Sequence, residues 1–135
     1  MYKTHIQQRN EDFAATCRRI LSSPEGEAIG TDVDALVMKA LASAPLHYYV
    51  SRERAFEVYR VHSRGGRVRE GLWTEFCADV DAVLALRPWL GELKAVDFVA
   101  AYKRPSRFHF SLATGRRIIS PCLGRALKFR NNLYL

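Results

Sequence analysis

The sequence is poor in the residues that build most recognisable sites. It has three cysteines, at 17, 77 and 122, and no C-x-x-C. That pattern signals neither a zinc ribbon nor a dithiol redox pair. Free thiols fit a reducing compartment, so the expected location is cytoplasmic. The four histidines, at 5, 47, 62 and 109, stand apart, with neither H-x-x-x-H nor H-E-x-x-H between them. No metal site and no cofactor is therefore expected. Both glycine-rich phosphate-loop patterns are missing, and Gly65-Gly66 reads as a helix stop. The carboxylate pairs Asp32/Asp34 and Asp79/Asp81 are two residues apart, a spacing that diverges on a helix and makes no shared acid/base site. With no catalytic motif, the chain reads as non-enzymatic.

Long apolar runs are also lacking. The longest uncharged stretch, 40–51, is far short of the roughly 20 residues that span a bilayer. The first ten residues are polar and have no apolar leader segment. No membrane association is expected. No low-complexity tract or long linker interrupts the sequence, so residues 1–135 are read as a single basic helical domain. Apolar residues make up 48%, enough for a core without metal or disulfide staples.

What is present is helical spacing. Residues 10–22 place Phe13, Cys17, Ile20 and Leu21 on one face, with Asn10 as the expected cap. The Ser22–Gly26 run is read as a stop. A second helix is predicted after a Thr31 cap, with Val33, Leu36, Val37, Ala40 and Leu41 inward. Residues 72–87 carry the widest apolar face: Trp73, Phe76, Cys77, Val80, Val83 and Leu84. Trp89 to Tyr102 reads as another helix, with Leu90, Leu93, Val96 and Ala100 inward, and a last one is placed in 121–135 over Leu123 and Leu127. The fold class is mainly α, about five to six short helices.

One phrase occurs twice, sixty residues apart: Pro-Leu-His-Tyr-Tyr-Val-Ser at 45–51 and Pro-Ser-Arg-Phe-His-Phe-Ser at 105–111. Each starts with proline, continues with residues that suit a short strand, and ends on a serine placed to cap a helix. The reading is a strand-cap-helix unit at 45–62 and again at 105–120. Its strands, 46–50 and 107–111, would pair as a minor two-stranded β element. The later copy also fits a hairpin turning at Gly115.

Charge is unevenly spread. The net charge is +7, yet residues 101–135 alone carry eight Lys/Arg and no Asp/Glu. A second basic cluster surrounds Arg64, Arg67 and Arg69. Arginine interleaved with aromatics is the composition that neutralises phosphate and stacks on bases. The expected function is nucleic-acid binding through a C-terminal arginine-rich surface, mainly to backbone phosphate of DNA or RNA, with Arg52, Arg64, Arg67, Lys103, Arg104, Arg107, Arg116, Arg117, Arg125, Lys128 and Arg130 as the contacts. Tyr48, Tyr49, Phe108 and His109 are the stacking candidates. The alternative is an assembly or adaptor subunit. In it the basic tail docks on an acidic protein partner or between identical subunits as a homo-oligomer, with Trp73 or Trp89 as an anchor.

Overall fold

A computed structural model describes residues 3–121. The chain is mainly helical. It runs through α1 (His5–Leu21), α2 (Pro24–Ile29), α3 (Val33–Leu41), α4 (Arg52–Ser63) and α5 (Leu72–Leu86). A 3-10 turn (Pro88–Leu90), α6 (Glu92–Tyr102) and a helix at 112–121, here α7, complete the described part. The helix expected in 121–135 lies outside the described residues but for its first position.

Several local expectations are corrected. α1 begins at His5, so Asn10 lies inside the helix rather than capping it. The expected Ser22–Gly26 stop is only two residues long: α2 already begins at Pro24, which sits where a first helical turn has no need of its N–H. Asp32, not Thr31, caps α3, its carboxylate accepting from Ala35 N at 3.1 Å. Leu93, expected inward, is 43% exposed; Val96 is buried as expected, and Ala95 and Val99 are buried with it.

No strand forms among the described residues, and the 46–50/107–111 pair is absent. The chain bends at 46–47 and at 106–107, and Tyr49 adopts φ 58°. That left-handed conformation interrupts any extended run. The hairpin is absent too. Gly115 lies within α7, its N–H donating to Ser111 O at 2.9 Å.

The cap and the helix of the repeated phrase are both formed. Ser51 Oγ accepts from Arg54 N at 3.2 Å, and Ser111 Oγ accepts from Thr114 N at 3.1 Å. Pro45 and Pro105 are both buried, as are Tyr48 and Phe108, Ala55 and Gly115, Tyr59 and Ile119. The likeness extends upstream at the same offset of sixty. Cys17 and Cys77 are both buried, as are Ile20 and Val80, and Leu36 and Val96. Gly30 after α2 and Gly91 after the 3-10 turn, one residue off that offset, both have positive φ. The chain thus passes twice through one order of elements: helix, short turn, helix, proline loop, serine-capped helix.

Packing divides the chain into two units. Among the described residues, one comprises 3–6 and 45–105, the other 7–44 and 106–121. The first joins α4 to α5, the 3-10 turn and α6 around Tyr48, Ala55, Tyr59, Phe76, Cys77, Val80, Val96 and Val99. The second joins α7 to α1, α2 and α3, with Phe13, Cys17, Leu36, Val37, Phe108 and Ile119 buried. Each unit therefore takes three elements from one pass of the chain and its serine-capped helix from the other. The chain switches units immediately before Pro45 and immediately after Pro105.

Candidate nucleic-acid interface

In the first unit the basic residues converge on the end of α4. The helix presents Arg54, Glu57, Val58 and Val61 along one face, at the i, i+3, i+4, i+7 spacing. It ends at Arg64 in a paired-bond stop: Gly65 N donates to His62 O at 3.0 Å and Gly66 N to Val61 O at 2.9 Å. Gly65 supplies the required positive φ, 81°. This is the stop expected of the Gly65-Gly66 pair, and it folds the following segment back on the helix. Val68 then packs against the core while Arg67 and Arg69 stay exposed.

The result is a concavity of about 520 Å³ lined by Arg54, Arg60, Arg64, Arg67, Arg69 and Trp73, with Glu57 as its one carboxylate. Arg54 lies 3.5 Å from Glu57. The Arg60 guanidinium stands 5.6 Å from the centre of the Phe56 ring. Arg64, Arg67 and Arg69 form no ion pair among the described residues. Trp73 is half-buried, its ring edge-to-face with Phe76 at 5.6 Å between centroids. Arg54, Arg60 and Trp73 were not among the nucleic-acid contacts expected from sequence, and Arg69 was expected only as part of the basic cluster. The clue available was the i, i+3 spacing of α4 followed by two glycines.

The other expected contacts do not gather there. Arg52 pairs with Asp97 at 2.8 Å, and Arg104 Nε donates to Pro45 O at 2.9 Å. Lys103 follows α6 beside a small hollow lined by Val83, Leu86, Arg87, Leu90 and Phe98. In the second unit, Arg107 Nε donates to Phe108 O at 3.3 Å. Arg116 lies 3.5 Å from Asp34, and Arg117 donates to Thr114 Oγ1 at 3.3 Å. Arg125, Lys128 and Arg130 lie outside the described residues.

Two of the four stacking candidates are core. Tyr48 is 2% exposed, edge-to-face with Phe76 at 5.0 Å, and its hydroxyl donates to Asp79. Phe108 is 2% exposed and meets Phe13 at 5.2 Å. Neither ring offers a face to a base. Tyr49 and His109 are half-buried, and Tyr49 meets His47 edge-on at 5.9 Å.

Carboxylates Asp79 and Asp81 serve the core. Asp81 accepts from Tyr59 Oη and lies against His62 Nε2, both at 2.7 Å. Burial, and then the bond to its aspartate, pushes each of the Tyr48 and Tyr59 hydroxyls well above the usual phenol range. Burial also raises the Cys17 thiol to about 12 and the Cys77 thiol to about 11. Both are core residues held protonated near neutrality. Among the described residues no three His, Cys, Asp or Glu side chains gather closely enough to hold a metal ion. Nor is any described helix long and apolar enough to cross a membrane. No known protein family, curated protein or solved structure matched the chain.

Proposed function

We propose that this protein is a non-enzymatic nucleic-acid-binding module that contacts mainly the phosphate backbone, and that the arginine cleft at the end of α4 is its principal contact surface. The observation that carries this reading is the grouping of five arginines around one concavity with a single carboxylate. Like charges brought together repel, so an arrangement of this kind is favoured by a polyanion that neutralises it. The guanidinium fork matches phosphate oxygens in pairs. Trp73 in the same cleft adds an aromatic surface beside the charge. Contacts of this type carry little sequence information, so preference among sequences is expected to be weak.

The test is binding of the purified, nuclease-treated protein to short single- and double-stranded DNA and RNA across a salt series. A variant with Arg60, Arg64 and Arg67 changed to Ala is measured beside it. The expected result is affinity that falls linearly in log–log form with salt, and a shallower slope with weaker binding in the variant. Absence of binding at low salt to every oligonucleotide overturns the reading.

The assembly reading has one observation of its own. Leu86, Trp89 and Tyr102 are between 74% and 80% exposed, all on the α5–α6 side of the first unit. Apolar side chains exposed in number favour a protein contact. If that is the function, Trp89→Ala changes the oligomeric size or partner capture, and Arg60→Ala does not.

A further inference from the structure

The second unit has a groove in the same place in its own helix set. Arg9, Glu11, Ala14 and Arg18 on α1 face Thr114, Arg117 and Ile118 on α7 across about 610 Å³. Four lining positions correspond to those of the α4 cleft at the offset of sixty. Thr114 stands where Arg54 does, Arg117 where Glu57 does, Ile118 where Val58 does, and Arg9 where Arg69 does. Both concavities lie against a serine-capped helix. Position 57 of the first cleft is acidic, and its counterpart Arg117 is basic.

The lining carries three arginines and one carboxylate, Glu11. Arg9 is held in place: its guanidinium lies 4.9 Å from the centre of the Phe110 ring and donates twice to Asn10 Oδ1, at 3.1 and 2.9 Å. Burial lowers its pKa from the ordinary guanidinium value, which leaves it a cation in any neutral solution. Arg18 and Arg117 are exposed.

We infer that the groove between α1 and α7 is a second phosphate-backbone site, so that one chain binds two separate segments of nucleic acid. This rests on the reading of the α4 cleft as a nucleic-acid surface, because both grooves are arginine-lined, lie against corresponding serine-capped helices and share four lining positions. The second site has fewer arginines and no counterpart to the accessible Trp73 ring, since Phe13 at that position is fully buried. It is therefore the weaker of the two and the more dependent on charge alone.

The experiment is calorimetric titration of the full chain with hexathymidylate and hexauridylate at low salt, all variants carrying Trp89→Phe so that Trp73 is the only tryptophan. Two equivalents are expected per chain, and Trp73 fluorescence responds only to the first. Changing the exposed pair Arg18→Glu and Arg117→Glu leaves one equivalent with the Trp73 response intact. Changing Arg64→Glu and Arg67→Glu leaves one equivalent without it. Circular dichroism checks that each variant keeps its helix content. A single equivalent in the parent, unchanged by R18E/R117E, overturns the second site while leaving the first cleft in place. No binding of either hexamer by the parent overturns both.

Discussion

Tyr59 donates its hydroxyl to Asp81 Oδ1 at 2.7 Å, from a ring that is 3% exposed. The bond joins α4 to α5 across the core of the first unit, while the other oxygen of Asp81 lies against His62. Tyr59→Phe removes the donor and leaves Asp81 half-exposed to water, so a loss of about 1 kcal/mol is expected. Asp81→Ala strands the buried hydroxyl and should cost more, about 1–3 kcal/mol. Urea denaturation of both variants checks the order, and an Asp81→Ala protein no weaker than Tyr59→Phe refutes it.

Alkaline pH should weaken the fold in two stages. Burial holds the Cys17 and Cys77 protons above the ordinary 9.0, to about 12 and about 11. The unfolded chain releases those protons first, so stability is full below about pH 9 and falls as pH rises toward the folded values, with a slope of about 1.4 kcal/mol per pH unit for each group. Tyr48 and Tyr59 are shifted in the same direction and steepen the fall above about pH 10. Denaturant midpoints measured from pH 8 to 10.5 read this directly. In the C17A/C77A variant the first stage should vanish, whatever the variant's absolute stability.

Gly115→Ala should destabilise the second unit although alanine is the better helix former. A Cβ at this position would lie 2.5 Å from Val37 Cγ1 and 3.3 Å from Phe13 Cζ, both on buried residues. Overpacking of this kind costs about 1–3 kcal/mol, which exceeds the roughly 0.5–1 kcal/mol gained by replacing a helical glycine. The Val37→Ala change makes room, so the double variant should be more stable than the sum of the two single losses. Additive losses would show that the contact is not the cause.

The two serine caps should be worth similar amounts. Ser51→Ala and Ser111→Ala each remove the acceptor for one free helical N–H. Each is expected to cost about 1 kcal/mol, and the corresponding Asp variants should recover most of it. Thermal denaturation is the measurement. A null effect at Ser111 alone would separate the two passes of the chain energetically.

What was legible in the sequence was local. The caps at Ser51 and Ser111, the stop at Gly65-Gly66 and the inward faces of α1, α3 and α5 follow from side chains acting on their own neighbourhood. So does the sixty-residue spacing, carried by proline, aromatic and serine at fixed steps. The errors arose where a local signal had two outcomes. Aromatic residues at 46–50 suit a strand, but Tyr49 turns left-handed and sends Tyr48 into the core. On α6, Val96 turns inward as its spacing predicts, but Leu93 stays exposed while Ala95 and Val99 complete the buried face, a choice made by packing rather than by side-chain hydrophobicity.

Tertiary structure alone decided which pass of the chain each capped helix serves. α4 packs with α5 and α6, and α7 with α1 and α3, so the arginines of one charge cluster end in different units. Spacing along a sequence cannot express that exchange, because both partners of a capped helix present the same pattern of apolar residues. It also gathered five arginines around one concavity at the end of α4. A helix face and a folded-back connector bring Arg54 and Arg69 to one concavity, while Arg52 and Arg104 are each held by a partner of their own. Charge in a sequence is a count, and the surface on which it acts is set by packing.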